Sequence, residues 1–240
     1  MNKALRFIYI LWYLPVFYVL IGILSIAIFF VDFLSARAAR YLCNTVVGHA
    51  TLDPGGLRLK TLGRENLPAG SGFIIFANHS SLLDIPAVAL STGSSITWVA
   101  KAALGKIPFF GWALRKVHML VDRGGGAEAA RRMVEDAEDR LKKGQILAIF
   151  PEGTRNRGQA LLQPFKKGAF ILAKHTGAPL VPVAIKNAGR LWPPGHFWPR
   201  PGLIRVKIGP TLQPVPGERL ADLTAKAQAA LEALLADESW

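Results

Sequence analysis

Cysteine is almost absent from this chain of 240 residues: Cys43 stands alone, which excludes any intramolecular disulfide. It has no recognisable catalytic context and reads as a small buried hydrophobe. Acidic residues are scarce too, 16 against 29 Lys and Arg, for a net charge of +13. Such an excess asks for an anionic partner. No basic recognition helix, zinc-finger spacing or RNP motif is present, so nucleic acid is not the expected one. The five histidines show no zinc-like spacing, and neither a metal nor another cofactor is expected. Gly124-Gly125-Gly126 is not followed by the Lys-Ser/Thr of a phosphate-binding loop. No Gly-x-Ser-x-Gly elbow and no internal repeat occurs.

Charge of either sign is missing from residues 7–31, FIYILWYLPVFYVLIGILSIAIFFV. As a straight helix this run would rise roughly 37 Å, enough to cross a hydrocarbon core of ~30 Å. Trp12, Tyr13 and Tyr18 suit a membrane interface. A cleaved signal peptide would fit Lys3, Arg6 and the small residues near Ala36 and Ala38. Its apolar region would be ~7–15 residues, much shorter than this one. A single spanning helix remains open. So does a bent or monotopic anchor, because Pro15 can break the helix and residues 34–47 continue amphipathically. Flanking charges are too balanced to fix orientation. The mean hydropathy of the chain is positive, which agrees with a membrane.

Residues 1–50 are therefore read as a membrane-anchoring segment and 51–240 as one α/β domain. In the latter, short apolar runs recur at 57–62, 73–77, 96–100, 119–122, 146–150, 180–185 and 204–208, each of strand length. Helical periodicity marks 127–143, 165–176 and 220–235. Strands alternating with helices imply a largely parallel central sheet flanked by helices. Sites in such domains form beyond the carboxyl ends of strands. Residues 187–201, rich in Gly, Pro and Trp, read as a long surface loop, whose Trp192, Phe197 and Trp198 are candidates to touch a bilayer.

Three apolar runs end in charged or hydrogen-bonding residues. The first ends in Asn78-His79-Ser80-Ser81-Leu82-Leu83-Asp84. Ser81 is placed to cap a helix with Asp84 in its first turn. A neutral imidazole suits removal of a proton from an alcohol, and a carboxylate on its other nitrogen would fix the tautomer and stabilise the imidazolium. The bland reading is a buried histidine beside a helix-start aspartate. A third reading makes Ser80 or Ser81 a nucleophile. The second run ends in Phe150-Pro151-Glu152-Gly153-Thr154-Arg155. The Arg155 fork suits a phosphate, while Glu152 is suited to a glycerol hydroxyl or to orienting the loop. The alternative is a surface turn with a weak Glu–Arg pair. The third ends in Asp122-Arg123, where Arg123 is a second phosphate candidate, and Lys101 adds positive charge after another run.

In order, these blocks resemble the glycerolipid acyltransferases, specifically the 1-acyl-sn-glycerol-3-phosphate acyltransferases. The blocks are Asn78-His79-x4-Asp84; Lys101 to Pro108 with Gly111 to Arg123; Phe150 to Arg155; and Val181-Pro182-Val183. The likeness covers roughly residues 60–210. It implies acyl transfer from acyl-CoA or acyl-acyl carrier protein to lysophosphatidate, giving phosphatidate. It implies His79 as base, Asp84 as its partner, Glu152 with Gly153 at the acceptor, and Arg123 and Arg155 on the phosphate; the Thr154 hydroxyl and the Lys101 charge stand beside them as further substrate-binding candidates. Pro182 is read as structural. An anionic membrane and an acidic carrier protein are the expected partners, and a cytoplasmic-facing membrane location is expected. Ala102-Ala103 and His118 depart from the family pattern in the block that shapes the acceptor pocket. Another lysophospholipid or a lyso-ornithine lipid is the alternative acceptor, and a non-catalytic lipid-binding protein is the rival of another class.

Overall fold

A computed structural model describes residues 3–240 except 71, 94–95, 122–125 and 159, and leaves out the side chains of 3–6, 127, 129 and 130. Seven strands form one sheet: β1 (Leu57–Leu62), β2 (Ile74–Ala77), β3 (Ile96–Lys101), β4 (Met119–Val121), β5 (Ile146–Ile149), β6 (Leu180–Lys186) and β7 (Gly202–Ile208). Their order is β1-β7-β6-β2-β5-β3-β4. All neighbours run parallel except β6 and β7. The sheet is thus mostly parallel, as the alternation of elements implies, with β1 and β7 reversed relative to the other five strands.

Every residue of β2 is buried, as are the first six of β6. A parallel strand covered on both faces must be apolar throughout, which is why the sequence shows unbroken runs there. At the edge, β1 alternates instead. One face carries α6 (Gly126–Lys142), α7 (Gly168–Thr176) and α9 (Leu220–Ala236), packed on Ile74, Phe76, Leu147 and Leu180. The other face packs Ile75, Ala77, Ile96 and Val183 under α4 (Asp84–Thr92) and the N-terminal helices.

The N-terminal arm is a helix pair. Its first member, α1 (Lys3–Leu34), runs unbroken through Pro15, so of the two forms left open the helix takes the unbroken one. Proline removes one backbone hydrogen bond. Around it Tyr13, fully buried, and Phe17 pack edge-on against Trp192 and hold the segment in place. Ser35 Oγ then accepts from Ala38 N–H and starts the return, α2 (Ala36–Tyr41), a π-helical turn at Leu42–Val46, and α3 (Val47–Leu52). The hydroxyls of Tyr9 and Tyr13 donate to the carbonyls of Gly55 and Thr51, which fixes the two arms antiparallel.

Three sequence expectations are corrected. Residues 187–201 are not simply a surface loop: they hold a short helix, α8 (Ala188–Leu191), and the buried Trp192, whose Nε1–H donates to His196 O at 2.8 Å. Trp192 and Tyr13, read as candidates for a membrane interface, instead cement the arm to the domain. In addition, α7 begins at Gly168 rather than 165, because Lys166 N–H is drawn to Pro151 O at 2.8 Å.

Candidate active site

Because β2 and β5 are adjacent and parallel, the segments that follow them emerge side by side. Asn78 continues the ladder by side chain: its Nδ2 donates to Ile185 O and its Oδ1 accepts from Ile185 N–H. The next residue, His79, has both backbone groups held by the neighbouring loop. Its N–H donates to Glu152 Oε1 at 2.7 Å, and its carbonyl accepts from Asn156 N–H at 2.6 Å.

That leaves the imidazole to be placed by its ring. His79 Nδ1 lies 2.9 Å from Oδ2 of the fully buried Asp84. The same Oδ2 accepts from the N–H groups of Ser80 and Ser81 at 2.6 and 2.7 Å. A carboxylate so held keeps the Nδ1 proton and leaves Nε2 as the basic nitrogen. Asp84 Oδ1 is buried and, among the described residues, has no hydrogen-bond partner. A buried carboxylate oxygen without a partner is costly, and the His79 imidazole is the ring held beside this carboxylate. Ser81 does not cap α4 as expected. Its hydroxyl donates to Trp192 O and accepts from Leu83 N–H, and it is fully buried, which removes it as a nucleophile facing substrate.

Stacking fixes the ring plane. Phe150 lies face to face on His79, centroids 4.0 Å apart and planes 10° off parallel, and Trp98 stacks on Phe150 at 5.2 Å. Trp98 N–H donates in turn to Nδ1 of His118, whose Nε2 meets Cys43 Sγ at 3.3 Å. Burial, with Arg140 adding repulsion, lowers His118 to about 3, so it is neutral and accepts at Nδ1. The departure at His118 is thus a buried brace for β3.

Glu152 is buried, and its two oxygens take the N–H groups of His79 and Gln163. Burial raises its carboxyl above the ordinary value, and those two hydrogen bonds oppose the rise. Both carboxylate oxygens are thus engaged with backbone of the two adjoining segments, the contacts that orienting the loop requires. Among the described residues no ion pair joins it to Arg155, which is half-buried beside the exposed Thr154. Gly153, at φ 71°, closes the turn with its N–H on Phe150 O, and a Cβ there would sit 2.9 Å from the Lys166 side chain. Lys101 is exposed at the carboxyl end of β3, whose last residue pairs with Val121. Arg123 lies outside the described residues. Pro182 is buried within β6, in register with Phe76.

An apolar cavity of about 390 Å³ adjoins the site on the α6–α7 face, lined by Val99, Met133, Ile149, Phe150, Gly153 and Leu172 among others. Lys166 is the one charged side chain among its described lining. Sequence reasoning passed over Lys166 because it belongs to none of the three charged turns. It becomes visible only when the loop folds back across Gly153.

A profile of the family described as Acyltransferase matches residues 58–186. The 1-acyl-sn-glycerol-3-phosphate acyltransferase of Saccharomyces cerevisiae is 38% identical over 168 residues, 69% of this chain and 54% of that one. Its counterpart in Pseudomonas aeruginosa is 33% identical over 189 residues, 77% of this chain and 71% of that one. The chain therefore spans little more than half of the yeast relative. The crystal structure of the 1-acyl-sn-glycerophosphate (LPA) acyltransferase PlsC from Thermotoga maritima superposes with a TM-score of 0.78 at 27% identity, covering 100% of both chains. Matched over more than half its length by the profile and throughout by that fold, the chain belongs to the acyltransferase family.

Proposed function

We propose that the protein transfers a fatty acyl group from an acyl thioester, acyl-CoA or acyl-acyl carrier protein, to the sn-2 hydroxyl of 1-acyl-sn-glycerol-3-phosphate, giving phosphatidate. The observation that carries this reading is the His79–Asp84 pair at 2.9 Å, set at the carboxyl ends of parallel strands with Nε2 unblocked by Asp84. Nε2 takes the proton of the acceptor hydroxyl as its oxygen attacks the thioester carbonyl. Asp84 balances the imidazolium formed through Oδ2, which Ser80 and Ser81 N–H hold in place against Nδ1. The C–S bond then breaks, and the imidazolium returns its proton to the departing thiolate. Arg155, Lys101 and Lys166 bring positive charge to the acceptor phosphate, and Arg123 joins them by family resemblance. Relatives named for the same reaction support the choice of acceptor.

The arm is proposed to lie in the plane of one leaflet. The helix is long and apolar enough to cross a bilayer. Yet it touches the domain from Tyr13, against Trp192, to Phe29, against Trp112, and these residues are ~24 Å apart along a helix axis. A helix held along that length cannot also cross a core of ~30 Å. Its outward face, including Leu11, Tyr18, Ile23 and Phe30, is exposed and apolar, as an interfacial helix requires.

The test is acyl transfer from labelled acyl-CoA and acyl-carrier protein to a panel of lysolipids. Transfer to lysophosphatidate above all others is the expected result. Transfer to another lysophospholipid or to lyso-ornithine lipid alone would keep the chemistry and replace the acceptor. No transfer with any pair would favour a lipid-binding protein.

A further inference from the structure

From residue 85 to 121 the chain has no acidic residue and four basic ones, Lys101, Lys106, Arg115 and Lys116. The same stretch exposes large apolar side chains: Leu104, Ile107, Phe109 and Trp112 are 40%, 44%, 51% and 48% accessible. A slack loop would fold such side chains inward, but this one is built to hold them out. A Cβ on Gly111 would stand 2.5 Å from Gly105 O, so the two glycines pack backbone to backbone. Arg115 Nε–H also donates to Gly105 O, and Gly111 N–H to Ile107 O. Phe109 sits at φ 59°, a left-handed backbone that a bulky residue adopts only under constraint from its surroundings.

The apolar display is continuous with the outward face of α1. Trp112, on α5 (Phe110–Val117), meets Phe29 at 6.1 Å between ring centroids. Lys116 lies 4.5 Å over the Phe33 ring and 3.5 Å from Asp32. Beside these contacts Phe30 and Phe33 are exposed.

We propose that segment 104–112 is a second membrane contact, in which Ile107, Phe109 and Trp112 enter an anionic phospholipid leaflet beside α1 while Lys101, Lys106 and Arg115 hold its headgroups. The proposal rests on the in-plane reading of α1. Charge selects this occupant over a second copy of the chain: a two-fold contact through this face would set its cations against themselves, with no acidic residue in the segment to answer them. Lys101 opens the segment at the end of β3, so the contact turns the site's end of the sheet towards the leaflet that supplies the acceptor.

Nitroxide labels at Ile23→Cys and, separately, Phe109→Cys, each in the full chain with Cys43→Ala, test this on vesicles of phosphatidylcholine and phosphatidylglycerol. Collisions with oxygen should exceed those with a water-soluble nickel chelate at both positions. Phe109→Ser should weaken vesicle binding roughly tenfold, the effect of withdrawing one buried aromatic side chain. It should slow transfer to vesicle-borne lysophosphatidate but not to a short-chain acceptor dispersed in water. Position 109 open to nickel while position 23 is in lipid overturns the proposal and leaves the α1 reading intact. Both open to nickel overturns both. Position 109 shielded from both reagents, with copies cross-linking through it, assigns the face to self-association and overturns the proposal.

Discussion

The imidazole of His79 is constrained from three directions. Glu152 and Asn156 hold its backbone, Asp84 its Nδ1, and Phe150 its ring face. The third constraint is tertiary and acts on geometry alone. Replacing Phe150 by Leu should lower kcat by roughly ten- to a hundredfold through misplacement of the base, with KM nearly unchanged. Phe150→Tyr, which keeps a stacking ring, should recover most of the rate. Steady-state kinetics on both variants decide it, and equal losses would show that the ring merely fills space. Glu152→Gln must turn an NH2 group towards one of two backbone N–H donors. It should destabilise the fold by about 1–3 kcal/mol in denaturant unfolding while reducing transfer. A variant with wild-type stability would contradict the orienting role.

Among secondary-structure elements, the N-terminal arm is anchored at one end by an indole. Trp192 meets both Tyr13 and Phe17, and truncation to Ala should cost about 3–5 kcal/mol and loosen α1 from the domain. Faster proteolysis near Gly55 in the variant would report the loosening, and an unchanged cleavage pattern would refute it. This contact also marks where sequence reading ends. All seven strands were legible: central strands such as β2 and β6, buried on both faces, must be continuous apolar runs, and β1 and β7 alternate buried with more exposed residues. The two motifs were legible because each ends such a run. What escaped were features made by distant segments meeting: Trp192 against Tyr13, Phe150 against His79, Lys166 across Gly153. The reversed direction of β1 and β7 escaped for the same reason, since an apolar run carries no sign of its polarity in the sheet. The helix at Phe110–Val117 went unread because it is short and opens beside a glycine.

For the molecule as a whole, a net charge of +13 and one long apolar face are what the proposed contact with an anionic membrane rests on, with the candidate site at the carboxyl end of the sheet. The chemistry assigned to that site stands on one side chain. The most direct test is transfer of a labelled acyl group to lysophosphatidate by His79→Ala, with folding verified by circular dichroism. The proposed mechanism requires the rate to fall by about 10²–10⁴ while both substrates still bind. Transfer within a few fold of wild type would remove His79 as the base and, with it, the mechanism.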